Sequence, residues 1–269
     1  MFLRRISAFI KKDFLIATSY KVSFVVDFLL IFASILVWYF LAKVFGDKAL
    51  PYLKDYGGKF FPFILIGIAL YTYMVTAFQS YAQNLRTAQM TAILEPILAT
   101  PIKIPHLVVS LSLWKFIFAT GEVMIYLLFS VIFLGIDLSQ INILATMIIL
   151  VLSIISFSGI GIILASFIIV FKEGSRLPWV LSSFFALLGG VYFPITVLPK
   201  GLQLVSNFLP ITYSLRALRY TILKGASFID LSSDIFMLLL FSIILFPLSL
   251  AVFKYAVERA KREGTLSYY

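Results

Sequence analysis

Long apolar runs recur along the whole chain, and they leave few folds open. A helix rises about 1.5 Å per residue and the hydrocarbon core of a bilayer is about 30 Å thick, so about 20 apolar residues can cross it. The mean hydropathy is +1.06, and 62% of the residues are hydrophobic. A transmembrane β-barrel would instead show short alternating segments. We therefore predict an all-α integral membrane protein, a single transmembrane domain over residues 1–269, with full-length spans at 22–44, 60–81, 107–134, 141–170 and 231–254.

The fifth apolar run differs from the others because prolines interrupt the sequence that follows it. The run at 178–192 holds about 15 residues, or roughly 22 Å of helix, which is too short to cross the core. Pro194, Pro199 and Pro210 then each remove a backbone donor and break a helix. Irregular backbone survives at membrane depth only inside protein or beside a wet cavity. We predict six transmembrane helices, with an extracellular re-entrant helical hairpin over residues 194–230 between the fifth and the sixth.

The distribution of lysine and arginine orients these spans. With the N-terminus inside, thirteen of these basic residues fall on the cytoplasmic side and eight on the outside, as the positive-inside rule requires. The basic tail also belongs inside, which demands an even number of spans. We expect a multi-pass protein of the cell (plasma or inner) membrane with both termini in the cytoplasm.

Several residue types that carry chemistry are missing or scarce. The chain has no cysteine, which excludes disulfides and thiolate metal sites, and its single histidine, His106, excludes an all-histidine zinc site within one chain. Gly57-Gly58-Lys59 lacks the first glycine of a phosphate-binding loop, which would fall at Leu53. The net charge of +10 fits basic loops facing membrane lipids. We expect no metal site and no nucleic-acid partner.

Residues 1–20 have the pattern of an amphipathic helix and not that of a signal peptide. Their apolar residues recur at spacings of three and four, which places them on one helix face. The basic residues Arg4, Arg5, Lys11 and Lys12 lie mostly off that face. Such a helix lies along a membrane surface with its basic side toward lipid phosphates. Two interpretations stay open, a juxtamembrane anchor and a surface helix that also contacts a cytoplasmic partner.

Three charged residues fall inside the predicted spans. Asp27 lies in the first span, and Lys115 and Glu122 lie seven residues apart in the third, on one helix face. Charges at membrane depth are costly and usually serve a function. We favour an ion pair, between Lys115 and Glu122 or between spans, that holds the bundle together. The alternative is a proton relay.

Other residues are candidates for close packing or for a transport pathway. Gly159 and Gly161 lie among small residues of the fourth span and predict a close helix–helix contact. Arg216 and Arg219 lie on one helix face, where they would contact lipid phosphates or an anionic substrate at the exit. Interfacial belts explain most of the 17% aromatic content. The aromatic candidates for the pathway are Tyr71, Tyr73, Phe78, Phe184 and Phe185.

Two segments resemble the signature of one transporter family. The segment ILEPILATP at 93–101 is similar to the cytoplasmic LE-x-L-x-x-TP segment of type-2 ABC transporter permeases. The stretch at 189–219, which begins GGVYFPITVLP and ends LPITYSLRALR, resembles the signature that follows the fifth span of that family. Six spans, an N-terminal surface helix and a length of 269 residues agree as well. The resemblance therefore covers the whole chain.

The resemblance implies the membrane half of an ATP-driven exporter. In this family two permease copies pair, here as a homodimer, and each docks a separate ABC ATP-binding subunit that holds ATP and Mg²⁺. This chain would then bind no cofactor and hold no catalytic residue. The contact with the ATPase maps to the basic helix at 1–20 and to a coupling segment at 83–106, with Glu95 at the acidic position and Arg86 nearby. The hairpin maps to an external cap that contains Phe193, Pro194, Pro199 and Pro210.

Three functions are consistent with these sequence features, and we favour one of them. The leading function is export of a drug, a lipid or a lipid-linked glycan by such a permease. Ser19-Tyr20-Lys21 and a proline-free first span depart from the polysaccharide exporters, which favours a drug or a lipid. An ion-coupled secondary transporter using Asp27, Lys115 and Glu122 is the first alternative, although no inverted repeat is visible. A non-transport membrane protein is the second, and the lack of a clustered catalytic set counts against an intramembrane enzyme.

Overall fold

The described part of the chain is predominantly helical, as predicted. The structure is a computed structural model, and it describes residues 11, 14, 15, 19, 21–93, 96–97, 104–134, 140–171 and 176–263. These residues form eight α-helices and two short 3-10 turns, and they contain no β-strand. The α-helices are α1 (Lys21–Leu53), α2 (Phe60–Met90), α3 (Ile104–Leu134), α4 (Ile143–Phe171), α5 (Leu177–Leu188), α6 (Lys200–Ser206), α7 (Pro210–Lys224) and α8 (Ser232–Arg262).

Five of these helices are long and apolar enough to cross a membrane. They lie at Phe28–Gly46, Phe60–Met90, Pro105–Ile132, Ile143–Phe171 and Ser232–Arg262. In α2, 67% of the most apolar window is buried inside the protein, against 11% in α1. Helix α2 packs against α3, α4, α5 and α7, while α4 also packs against α8. The core therefore lies around α2 and α4, and α1 presents most of its apolar surface outward.

Several helix ends differ from the predicted spans. Helix α1 continues to Leu53, through a region predicted as a loop, and α2 continues from Tyr81 to Met90. Hydropathy locates the end of the apolar surface, but good helix formers such as Gln, Arg and Ala carry the backbone further. Helix α2 ends at Met90, and Ala92 just beyond it has φ of +54°.

The predicted close contact at the small residues of α4 is confirmed. A Cβ added to Gly161 would lie 2.0 Å from the carbonyl oxygen of Ala77 on α2. A Cβ added to Gly159 would lie 2.9 Å from Leu245 on α8. The hydroxyls of Ser156 on α4 and Ser242 on α8 are 3.0 Å apart. The backbone of α4 thus approaches two neighbouring helices on opposite sides.

The segment after α5 turns back on itself. Helix α5 ends at Leu188, before the predicted end at residue 192, and Gly190 adopts φ of +85°, which a glycine tolerates. A 3-10 turn at Ile195–Val197 leads into α6. Ser206, the last residue of α6, donates a hydrogen bond to the carbonyl oxygen of Leu188 at 2.6 Å. The end of α6 therefore returns to the end of α5 before α7 begins.

Helix α7 then runs alongside the first half of α4 in the opposite direction. Near the start of α7, the hydroxyl of Ser214 lies 2.7 Å from that of Ser153. At its end, the backbone N–H of Asn142 donates to the carbonyl of Thr221 at 3.3 Å. We call residues 177–224, from α5 to α7, the broken segment.

Candidate functional site

Arg219 joins three parts of the fold through one buried guanidinium group. Arg219 is only 2% exposed. Its guanidinium donates to the carbonyl oxygens of Phe63 at 3.3 Å, Gly190 at 2.9 Å and Val191 at 3.0 Å. The guanidinium also lies 3.4 Å from the centroid of the Phe63 ring. We call these four residues the Arg219 clamp. It ties the start of α2 to the bend after α5 and to α7.

The backbone of α2 approaches the clamp closely because residue 67 is glycine. A Cβ added to Gly67 would lie 2.3 Å from the carbonyl oxygen of Val191 and 3.0 Å from Nη2 of Arg219. Any larger residue at this position would push the bend away from α2. Gly67 and Arg219 therefore belong to one packing arrangement, although they are 152 positions apart in the sequence.

The prediction that Arg219 contacts lipid phosphates or an anionic substrate is wrong. A buried charge is tolerated only when hydrogen bonds replace its hydration, and here three carbonyls do so. Since the side chain is enclosed, neither a lipid phosphate nor a substrate at an exit reaches it in this conformation. The neighbouring Tyr56 ring, 5.8 Å away, adds to the enclosure.

Arg216 also has a partner within the chain, and this partner was not predicted. Its Nε donates to both carboxylate oxygens of Asp234 at 2.9 and 3.1 Å, and its Nη2 contacts Oδ1. Asp234 lies in the first turn of α8. The Arg216 side chain is 36% exposed, whereas that of Asp234 is 7% exposed. The pair therefore fastens α7 to α8, and Arg216 is not an isolated cation at an exit.

The three prolines of the predicted cap interrupt the helices where the sequence indicated. Pro194 is buried and precedes the 3-10 turn, Pro199 precedes α6, and Pro210 is the first residue of α7. The turn between α6 and α7 is held by two side chains, because Thr212 donates to the carbonyl of Ser206 at 2.8 Å and Tyr213 to that of Asn207 at 2.9 Å. Phe193 is half-buried.

The polar groups of the loop after α7 are satisfied in a similar way. The backbone N–H and the hydroxyl of Ser227 both donate to Asp230 Oδ2, at 3.0 and 2.7 Å. These bonds stabilise the charged carboxylate and lower the pKa of Asp230. The loop therefore enters α8 with its own internal hydrogen bonds.

The aromatic candidates for the pathway separate into two groups. Tyr73 is buried and donates to Thr120 Oγ1 on α3 at 3.0 Å, while Phe78 is buried against Phe185, with ring centroids 5.3 Å apart. Tyr71 is half-buried beside Tyr192, and Phe184 is 57% exposed. The first group packs helices within one chain, and only the second reaches the surface. Their part in a pathway stays a prediction.

Most of the residues expected to contact an ATPase lie outside the described part of the chain. These are Glu95, Arg4, Arg5 and Lys12, whereas Lys11 is exposed. Arg86 lies on the last turns of α2, where it lines a cavity of about 330 Å³ with Gln79, Gln83, Pro178 and Trp179. We call it the α2–α5 cavity. It lies beside the start of α5, at the end of α2 that leads into the coupling segment.

A second cavity, of about 480 Å³, lies between α1, α2 and α3, and we call it the α1–α3 cavity. Both Lys115 and Glu122 line it, which confirms that they share a helix face. Among the described residues Lys115 and Glu122 form no ion pair with each other, and the alternative of an ion pair between spans stays a prediction. The side chain of Asp27 lies outside the described part. Within the described residues no three His, Cys, Asp or Glu side chains are grouped to hold a metal ion.

A polar face of α2 separates the two cavities, and it was not predicted from the sequence. Thr76, Gln79, Gln83 and Arg86 follow one another at spacings of three and four, which places them on one helix face. Gln79 and Gln83 line both cavities. The spacing was visible in the sequence, but these residues lay across the assumed end of the second span.

A sequence model described as ABC-2 type transporter matches residues 4–223. The chain belongs to the ABC-2 type transporter family. The match includes the resembling segments at 93–101 and 189–219, together with the broken segment up to Leu223. The protein is therefore a multi-pass permease subunit of an ABC transporter. No match of this permease to a curated protein was found.

Proposed function

We propose that the permease is the membrane half of an ATP-driven exporter in the cell membrane. Two copies form the translocation pathway, and a separate ATP-binding subunit supplies ATP, Mg²⁺ and hydrolysis. The observation that carries this proposal is the family match over residues 4–223. The substrate is an amphipathic compound, either a drug, a lipid or a lipid-linked glycan.

The proposal includes six crossings with both termini in the cytoplasm. The broken segment supports the sixth crossing, because α5 begins six positions after α4 ends and α7 ends beside the start of α4. The side-chain amide of Asn142 donates to the carbonyl of Ala226 at 3.2 Å, which holds the end of α7 there. Two half-helices thus cover the length of α4. In this topology the bend between them lies at membrane depth, enclosed by protein.

The proposed contact with the ATPase lies at the Met90 end of α2. Arg86 lines the α2–α5 cavity, and the chain continues from there into the coupling segment around Glu95. A push on this segment acts directly on α2, since α2 is continuous from Phe60 to Met90. The test is charge reversal by Glu95→Lys and Arg86→Glu. Loss of complex assembly or of ATP-driven export supports the contact, and retention of both contradicts it.

Reconstitution tests the proposed function as a whole. The permease is co-expressed with a candidate ATP-binding subunit, purified and placed in vesicles of defined lipid. We expect a stable complex whose ATPase activity depends on the permease, and ATP-dependent movement of an amphipathic dye. A permease that transports without any ATP-binding subunit would contradict the proposal.

An ion-coupled transporter is the competing function, and one observation favours it. Lys115 and Glu122 line the same cavity, and ionisable residues at membrane depth often carry protons. An ionophore that dissipates the pH gradient, added while ATP is present, distinguishes ATP-driven export from ion-coupled transport. Transport that continues supports the ATP-driven exporter, and transport that stops supports ion coupling.

A further inference from the structure

The α1–α3 cavity has an apolar wall and a polar lining. Leu30 and Ile31 of α1 and Val75 of α2 belong to the wall. The polar lining consists of Lys115 and Glu122 from α3 and of Thr76, Gln79, Ser80 and Gln83 from α2. Leu30 is 62% exposed and Lys115 is exposed. The cavity therefore opens sideways, toward the place that lipid occupies in a membrane.

Two side-chain contacts show how α2 and α3 lie beside each other. The hydroxyl of Tyr73 donates to Thr120 Oγ1 at 3.0 Å, and the hydroxyl of Tyr81 is hydrogen-bonded to Ser112. Residue numbers rise along α2 from the first contact to the second, while they fall along α3. The two helices are therefore antiparallel, and each residue of α2 can be assigned a level on α3.

Ser80 and Lys115 lie at nearly the same level of the cavity. Ser80 precedes Tyr81 and is therefore level with Leu113, which follows Ser112. Two residues of helix, or about 3 Å, separate that level from Lys115. A group bound between α2 and α3 at this level can reach both side chains.

Neither of these two polar groups has a partner within the described part of the chain. Ser80 is 2% exposed, and its Oγ makes no hydrogen bond there, whereas buried hydroxyls nearly always have a partner. Lys115 has no ion pair or hydrogen bond with a described residue. A charge at membrane depth normally has a charged or polar partner. The cavity thus holds an ammonium group and a hydroxyl that lack an acceptor at one level.

Glu122 lies further along α3 and is not the acceptor for these donors. Seven residues, or about 10 Å of helix, separate it from Lys115. It is hydrogen-bonded to the hydroxyl of Tyr126, and Ser34 of α1 bonds the same hydroxyl. Glu122 therefore belongs to a link between α1 and α3, and the acceptor for Lys115 and Ser80 comes from outside the described part.

We infer that the α1–α3 cavity binds one anionic phospholipid of the phosphatidylglycerol type. Its phosphate accepts hydrogen bonds from the ammonium group of Lys115 and from the hydroxyl of Ser80. A phosphate offers several acceptor oxygens and a negative charge, so it satisfies both donors at once. A zwitterionic headgroup would bring a second cation close to Lys115. The acyl chains leave the cavity past Leu30 and Ile31.

The binding test uses the purified full chain in a neutral detergent, without an ATP-binding subunit. A short-chain phosphatidylglycerol is titrated by calorimetry, and phosphatidylcholine with the same chains is titrated for comparison. We expect saturable binding of one phosphatidylglycerol per chain, at least about tenfold tighter than phosphatidylcholine, as one charge-assisted contact provides. Equal binding of the two lipids, or no saturable binding of either, overturns the inference. Because ATP is absent, either result leaves the proposed ATP-driven export untouched.

Inorganic phosphate distinguishes a lipid headgroup from a free anion. An excess of inorganic phosphate should leave phosphatidylglycerol bound, because it lacks the chains that pass Leu30 and Ile31. Displacement of the lipid by inorganic phosphate would show a site for free anions and overturn the lipid as the occupant.

Substitution of the two donors locates the bound phosphate. Lys115→Gln should weaken phosphatidylglycerol binding about tenfold, and Ser80→Ala about threefold. Lys21→Gln is the matched control for charge, since Lys21 is exposed on α1 and lies outside the cavity. Ser166→Ala is the control for the hydroxyl, since Ser166 is 1% exposed and donates to the carbonyl of Ile162. Binding that is equal in the cavity variants and in their controls overturns the inference.

Thermal unfolding of Ser80→Ala separates a contact with lipid from a contact within the fold. The substitution removes an unsatisfied hydroxyl, so the thermal midpoint without lipid should stay the same or rise. Saturable lipid raises the midpoint of the unsubstituted permease, and at the same lipid concentration this rise should be smaller in Ser80→Ala. A rise of equal size in both proteins overturns the inference.

A further variant covers the case in which substitution of Lys115 prevents folding. Thr76→Phe fills the cavity from α2 and keeps both donors, and it should abolish phosphatidylglycerol binding. Full binding by a folded Thr76→Phe variant overturns the site. The comparison of the two lipids on the unsubstituted permease needs no variant, so it tests the inference even if every substitution unfolds the protein.

Discussion

The two ends of α2 lie in regions whose polar side chains differ in the partners they have. Near Phe60, the Arg219 clamp gives one guanidinium three acceptors, and Arg216 is paired with Asp234. Toward Met90, Lys115 and Glu122 line one cavity, and Ser80 Oγ has no hydrogen-bond partner in the described part. An unsatisfied polar group in a low-dielectric setting costs free energy. The first region therefore uses its polar groups to hold the fold, whereas the polar groups of the second line a cavity.

Arg219→Ala should give the largest loss of stability. It leaves three carbonyls without their donor and opens a hole beside Phe63. We expect a loss of about 3 kcal/mol or more, seen as a lower thermal midpoint in detergent. Arg219→Lys keeps the charge but not the forked set of donors, so its thermal midpoint should fall between those of the unsubstituted permease and Arg219→Ala. Exposed Arg262→Ala is the control. A thermal midpoint equal to that of Arg262→Ala would show that Arg219 does not stabilise the fold.

Gly161→Ala tests the framework that joins the two regions. Its Cβ would meet the Ala77 carbonyl at 2.0 Å, so α2 and α4 must separate, at a cost of about 1–3 kcal/mol. Gly121→Ala is the matched control, because nothing lies within 4 Å of its added Cβ. In that exposed helix position alanine should stabilise slightly. Thermal midpoints that shift equally for both variants would contradict the close contact.

Asp234→Asn should have a smaller effect, because Arg216 is partly exposed. Water then replaces part of the lost interaction, and we expect a loss of about 1 kcal/mol. A double-mutant cycle with Arg216→Gln, read by thermal unfolding, isolates the pair. Strictly additive effects would show that the two residues stabilise the fold independently.

Lys115→Met should have the smallest effect on the thermal midpoint, and the contrast with Arg219→Ala distinguishes the two regions. Lys115 is exposed and forms no ion pair with Glu122. Removing this exposed charge should change the free energy of unfolding by no more than about 0.5 kcal/mol, as for most surface substitutions. The measurement is the thermal midpoint without added lipid. A loss as large as that of Arg219→Ala would assign Lys115 to the fold.

Much of the fold follows from hydropathy, because membrane spans are set by length and apolar composition. The five long helices were predicted in this way, and the prolines located the breaks around α6. The extension of α2 to Met90 was missed, since its last turns are polar but still favour a helix. The end of α5 was also misplaced, because Gly189 and Gly190 stop the helix before the apolar run ends.

The candidate sites were less predictable, since partners far apart in sequence decide them. Arg216 and Arg219 lie three residues apart on one helix, yet one pairs with a carboxylate and the other with backbone carbonyls. The acceptors of Arg219 exist only because the chain bends at Gly190. Lys115 and Glu122 were correctly placed on one face, but spacing alone gave no reason to place a cavity between them.

The continuity of α2 has a mechanical consequence. Its 31 residues form one rod, about 45 Å long. The Arg219 clamp and the close approach at Gly67 hold one end, while the Met90 end carries Arg86 and leads into the coupling segment. Such a rod is a lever whose pivot lies near Phe63. A small tilt therefore displaces the Met90 end most, and both cavities, which lie along that longer arm, change width together.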